Sequence, residues 1–239
     1  MPDKPHRDHK RVDAPAGEFV PSWQRSTKPE SRWFAFAAVA GVIAGQTWVA
    51  TSLSFRPVWL LPAIAGILLV ASVAVYIPSR TVPTRATRAL SLGLVAVLVI
   101  ANMISLVLLV HGVFVGSRLS PTGLLLAGGA LWVVNVAVFA LIHWELDGGG
   151  PEARADGYRD YPDLVFPQQQ QDQQGLTAGD WKPTFSDYLY VSLTSATAFS
   201  PTDAMPYSKQ AKLVMGIEST LSFIIAAMLV ARAINIAHG

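Results

Sequence analysis

The chain has 239 residues, of which 51% are apolar and only 14% charged, with a net charge of +2. A soluble domain carries about 25% charged residues, so a water-covered globule is excluded over most of the length. A net charge this small leaves no footprint for nucleic acid, and the absence of cysteine excludes disulfides and thiolate chemistry.

The charge deficit is uneven. No Asp or Glu occurs between Glu30 and Glu145, and no Lys between Lys28 and Lys182. A surface of that extent without a carboxylate faces lipid. The sequence predicts an all-α integral membrane protein with five transmembrane helices and one re-entrant helix before the last span.

Residues 1–32 are polar and aperiodic and read as a disordered basic tail. With no apolar run there, the first span acts as an uncleaved signal anchor. Residues 33–144 hold four spans, at 33–53, 57–77, 89–116 and 121–144, each meeting the requirement of about 20 apolar residues. Only Ser54, Phe55 and Arg56 join the first two, which makes a tight helical hairpin. Trp33, Trp48, Trp59 and Trp144 mark span ends, as interfacial aromatic belts do.

Residues 145–183 form a hydrophilic acidic and Gln-rich loop, mobile at the glutamines and punctuated by Tyr158, Tyr161, Phe166 and Trp181. Residues 184–239 follow as one unit. Thr184 with Asp187 makes a capping-box-like start to a short helix. At about 20 Å it is too short to span. Ser200-Pro201-Thr202-Asp203 breaks it, and a fifth span covers 213–236. Non-helical backbone at membrane depth is tolerated only where protein or water covers it, so this pattern reads as a pore-like re-entrant loop.

Glu218 lies about two turns into the last span. A carboxylate there faces a cavity or a partner. It is either an ion or proton site, or a brace for the re-entrant helix through Thr194 or Ser195. His111, Asn102 and Asn135 are the other intramembrane polar groups; His111 with Asn135 or Glu218 could relay protons, against a simpler role in interhelical hydrogen bonding. His143, Glu145 and Asp147 sit near one helix end, but a metal site needs three or four convergent ligands. The run ends a helix at the interface instead. No catalytic constellation, metal site or cofactor motif stands out, so the chain is not read as an enzyme.

From Ser192 to Arg232 the sequence resembles the pore domain of two-transmembrane potassium channels. There a Thr-rich pore helix precedes Thr-Val-Gly-Tyr-Gly-Asp and a Pro, and an inner helix carries a Glu. Aligned without gaps, Asp203, Pro206, Glu218 and Arg232 match that pattern. The whole chain also resembles a group of uncharacterised bacterial polytopic membrane proteins that carry Trp-Glu-Leu-Asp, Tyr-Leu-Tyr and Ala-Thr-Ala-Phe-Ser-Pro-Thr-Asp. The resemblance implies filter-like positions at Thr194, Thr197, Ala198, Phe199, Ser200, Pro201, Thr202 and Asp203. It departs where selectivity is made: Ser200 and Thr202 replace the glycines whose backbone angles point carbonyls inward, and Pro201 fixes φ.

The resemblance therefore implies a homo-oligomer, a tetramer if a pore, conducting monovalent cations without potassium selectivity. The rival reading is a non-conducting scaffold or transporter-associated protein with a decayed pore loop, and a membrane-embedded enzyme comes third. The expected location is the bacterial cytoplasmic membrane, multi-pass. With five spans only Arg56, Arg118 and Arg232 fall on the side away from the tail, which places the tail in the cytoplasm. The resembled channels insert their pore loop from outside; ionotropic glutamate receptors resemble an inverted version of the same pore.

Overall fold

The structure is a computed structural model, and it describes residues 20–53, 57, 59–77, 85–114, 120–157, 161–170, 181–197 and 204–237. The regular structure of the described residues is helical apart from one ladder of two-residue strands. Among the described residues, four helices are long and apolar enough to cross a membrane: α1 (Trp33–Ser52), α3 (Arg85–Phe114), α4 (Pro121–Leu146) and α8 (Lys209–Ala237). Between the first two lies α2 (Leu60–Tyr76), apolar but only 17 residues long. At 1.5 Å per residue it measures about 25 Å, short of a 30 Å hydrocarbon core.

Local chemistry sets the ends of α4. Ser120 caps it by accepting from the Gly123 N–H at 3.1 Å, and Pro121 occupies the first turn, where its missing N–H costs nothing. It stops because Gly148, Gly149 and Gly150 follow with φ of 59°, 88° and 98°. Backbone of that hand suits glycine. Pro151 then opens α5 (Pro151–Asp156), which folds back under the end of the bundle.

α4 is the central helix, packed on α1, α3, α7 (Phe185–Thr197) and α8. Lipid tails are as apolar as leucine, so close fit and polar bonds hold such helices together. Small residues permit the fit. A Cβ added at Gly45 would lie 2.7 Å from Val134 Cγ2, and one at Gly128 would lie 2.6 Å from Leu229 Cδ2.

Hydrogen bonds give the helix directions. α1 and α3 begin, and α2 and α4 end, at one end of the bundle, where the Arg32 N–H donates to the Tyr76 hydroxyl and Arg88 reaches Glu145. α7 starts at this end, with the Phe185 N–H on Glu30 and the Phe185 ring edge-on to Trp144. The chain is back at this end by β2 (Met205–Pro206). That strand pairs antiparallel with β1 (Leu164–Val165), whose Leu164 N–H is held by Asp147. Both flanks of α7 are thus tied to the same end.

Two expectations change. Residues 20–32, read as part of a disordered tail, are packed: Ser22–Gln24 form a 3-10 turn, and Glu30 and Arg32 are bonded into the bundle. Residues 1–19 lie outside the described residues. The loop read at 145–183 is partly built structure, with α5, β1 and α6 (Pro167–Gln170), while residues 171–180 lie outside the described residues. The cause is shared. Glu30, Arg32, Glu152 and Arg154 in these segments are held by distant partners, which a hydropathy pattern cannot register.

Candidate functional site

The interior polar site is built by α4, α7 and α8. Glu218 is nine positions into α8, about 14 Å from its start, and fully buried. Its Oε2 lies 3.0 Å from His143 Nε2 of α4, and its Oε1 bonds Ser192 Oγ of α7. Ser192 Oγ also lies 2.6 Å from the Val136 carbonyl. A hydroxyl has one proton and a carbonyl only accepts. One arrangement satisfies all four groups without net charge. His143 donates to Glu218, a protonated Glu218 donates to Ser192, and Ser192 donates to Val136. An uncharged chain of this kind suits an apolar interior, where an ionised carboxylate is costly.

One turn further along α8, the fully buried Ser222 accepts from Asn135 Nδ2 at 2.9 Å, and Asn135 Oδ1 accepts from Asn102 Nδ2 at 2.7 Å. Gln46 of α1 donates to the Leu98 carbonyl at 2.8 Å. A line of polar bonds therefore joins α1, α3, α4, α7 and α8 through the centre of the bundle. Asn102 Oδ1 and Ser195 Oγ are buried without a partner among the described residues.

Glu218 is braced by Ser192 and His143 rather than by the expected Thr194 or Ser195 side chains. Thr194 and Thr197 turn their hydroxyls back to carbonyls of their own helix, Tyr190 and Val191 for one, Leu193 and Thr194 for the other. They lie with the exposed Tyr190 on the open side of α7. His111 is exposed near the end of α3, whereas Asn135 and Glu218 are fully buried, so the structure does not bring it to either. Ala198, Phe199, Ser200, Pro201, Thr202 and Asp203 lie outside the described residues.

A second cluster closes the bundle end. Arg32, 4% exposed, holds Glu152 through Nε and Nη2 at 2.7 and 2.6 Å, and Glu145 through Nη1 at 3.0 Å. Arg88 donates to Glu145 Oε2 at 2.8 Å, so two cations meet two carboxylates. The Arg32 guanidinium also stacks 5.1 Å from the Trp144 ring centre, a favourable cation–π contact. Beside it, Asp147 accepts from the Tyr188 hydroxyl at 2.5 Å and from the Asp163 and Leu164 N–H groups. Arg154 donates to the Trp144 and Asp147 carbonyls at 2.6 and 2.7 Å and lies over the Tyr188 ring. Burial, together with the Arg154 and Arg25 guanidinia, lowers the Lys182 ammonium to about 8.

His143, Glu145 and Asp147 thus serve three different partners and do not converge. Among the described residues no group of three His, Asp or Glu could hold a metal ion. Sequence reasoning missed Arg32, Glu152, Arg154 and Ser192. The available signal was an arginine at the very start of the first span, with no carboxylate after it for over a hundred residues.

No protein family, curated protein or solved structure matches the chain.

Proposed function

We propose that this chain is a channel-like, multi-pass protein of a bacterial cytoplasmic membrane, with α2 as a fifth span and α7 as a re-entrant helix. Several copies would surround a cation pathway, since one such helix cannot enclose a pore. The observation that supports this reading is the setting of α7. It runs beside α8, both its flanks are tied to one end of the bundle, and its Tyr190, Thr194 and Thr197 side stays open. The phenol of Tyr190 lies there beside Leu189 and Leu193, 52%, 39% and 42% exposed, and a mixed polar and apolar face of this kind suits a partner copy. α8 adds to this, because 17% of its apolar stretch is buried against 39–56% for the other three long helices.

The residues between α7 and β2 include Ser200, Pro201 and Thr202 in place of filter glycines, which argues against a ring of stacked carbonyls. Conduction is therefore expected without potassium selectivity. The test is reconstitution in liposomes under potassium and sodium gradients, comparing wild type with Asp203→Asn and Phe199→Ala. Flux of both ions, altered in the variants, supports the pore. Strong potassium-over-sodium selectivity refutes the filter argument.

A non-conducting scaffold is the second reading. It is favoured by the complete mutual pairing of Glu218, His143 and Ser192, which leaves none of them free for an ion. Absence of flux for every ion, in folded and oligomeric protein, decides for it. A monomer in mild detergent also counts against the pore.

A further inference from the structure

Under the bundle end, between the segment that leads into α1 and the starts of α5 and α7, lies a groove of about 530 Å³. Its volume falls in the range of small-molecule sites, roughly 300–1,000 Å³. Thr27, Lys28, Glu30, Arg154, Lys182 and Thr184 line it. Three cations face one carboxylate, and that carboxylate is committed, since the two oxygens of Glu30 accept from Trp144 Nε1 and the Phe185 N–H, each at 2.8 Å. The wall is therefore rich in donors and poor in acceptors.

Two of the lining residues hold buried polar atoms that have no partner among the described residues. Arg154 is 9% exposed, and its Nη1 is saturated by two carbonyls while its Nη2 is buried without a partner. Thr27 Oγ1 is likewise buried and unpartnered. Lys182 Nζ donates to the Trp23 and Arg154 carbonyls at 3.1 and 2.9 Å, and an ammonium has a third proton. Buried polar atoms without partners are uncommon and call for an explanation. Here the two residues that carry them line one groove with two lysines, the atoms themselves lying just behind its wall.

We propose that this groove is a binding site for a phosphate-bearing anion. A guanidinium, ammonium groups and a hydroxyl are the donors that recognise phosphate oxygens. A carboxylate ligand has two oxygens for these donors, whereas a phosphate offers three and a higher charge. The place of the groove, at the mouth of the bundle beside the membrane surface, admits two sources of that chemistry. One is the headgroup of an anionic lipid, the other a soluble phosphate ester. Burial first, then the Arg154 and Arg25 guanidinia, lower Lys182, and an anion seated there offsets them, so binding takes up protons near pH 8.

The test is thermal unfolding of the full chain in neutral detergent. One arm adds inorganic pyrophosphate, a second adds short-chain phosphatidylglycerol, and phosphatidylcholine of the same chain length is the control. A saturable rise in Tm is expected in one of the first two arms, which identifies the source. Lys28→Gln and Lys182→Gln are each expected to weaken binding at least tenfold. Thr27→Val keeps the side-chain shape and removes the orphan hydroxyl. It is expected to leave the ligand-free Tm unchanged or higher while weakening binding, a combination that a purely structural role does not produce. The proposal fails if neither arm shifts Tm, if phosphatidylcholine shifts it equally, or if folded Lys28→Gln and Thr27→Val bind as tightly as wild type.

Discussion

Glu218 on α8 and His143 on α4 meet at 3.0 Å with their side chains 0% and 3% exposed. The contact works only as part of a larger unit, because Ser192 on α7 holds the other oxygen of the same carboxyl. One acidic side chain thus fastens a 13-residue helix to two long ones.

Glu218→Gln is expected to preserve the unit, because an amide supplies both the acceptor that faces His143 and the donor that faces Ser192. Glu218→Leu strands both partners, at about 1–3 kcal/mol. For a chain of this size that lowers Tm by about 2–4 °C per kcal/mol. Thermal unfolding of the two variants side by side is the measurement, and equal Tm values remove the bracing role.

Arg32→Met is expected to cost about 3–5 kcal/mol, since it leaves Glu145 and Glu152 without their shared buried cation. Arg88→Met should cost less, because the Arg88 side chain is 32% exposed and water can replace part of what it gives. Thermal unfolding orders the two, and a larger loss for Arg88→Met contradicts the account.

Gly150→Ala tests the turn below α4. Its φ of 98° belongs to a region essentially reserved for glycine, and an added Cβ would stand 2.2 Å from Arg88 Nη1. The backbone alone accounts for about 1–3 kcal/mol. The displaced Arg88 adds more, so the cost should shrink in an Arg88→Met background. A double-mutant cycle with no coupling rejects the link.

Stability should rise with pH where Lys182 titrates. Its folded pKa, about 8, lies below the ordinary value of 10.5. Between those values the unfolded chain binds more protons than the folded one, so the slope of stability against pH is positive there. Below pH 8 both states are protonated and the full penalty of burying the charge persists. The Lys182→Gln variant is expected to lose this part of the profile, and an unchanged slope from pH 8 to 10 removes the assignment.

A reporter fused to the C-terminus is expected to be active only outside the cytoplasm, with one fused before residue 20 active only inside. The basis is the concentration of Arg32, Arg88, Arg154 and Lys182 at one end of the bundle. Cytoplasmic activity of the C-terminal fusion reverses the orientation.

The helices were legible from hydropathy, because long apolar runs have one meaning in a chain with so few charges. Their ends were less so. The segments read as spans at 89–116 and 213–236 are the helices Arg85–Phe114 and Lys209–Ala237, since apolar windows stop at arginine and lysine while the helix continues through them. The start of α7 was readable because Thr184 and Asp187 are close in sequence, and the Thr184 N–H does donate to Asp187 at 2.7 Å. Glu218 was visible as a buried acid, but its partners were not. Ser192 is one hydroxyl among several on α7, and only packing selects it. The pairing of Arg32 with Glu145 and Glu152 spans 113 and 120 positions, beyond the reach of any local pattern.

That separation has a consequence for synthesis. A ribosome adding about 5–20 residues per second reaches Glu152 on the order of ten seconds after Arg32. During that interval α1 is already made, and its leading arginine lacks the two acids it finally holds. It waits at the headgroups as a tether, holding the first helix in register while α2, α3 and α4 are made. When Glu145 and Glu152 emerge, the same side chain changes from a marker of orientation into a latch, and the bundle end closes in one late step.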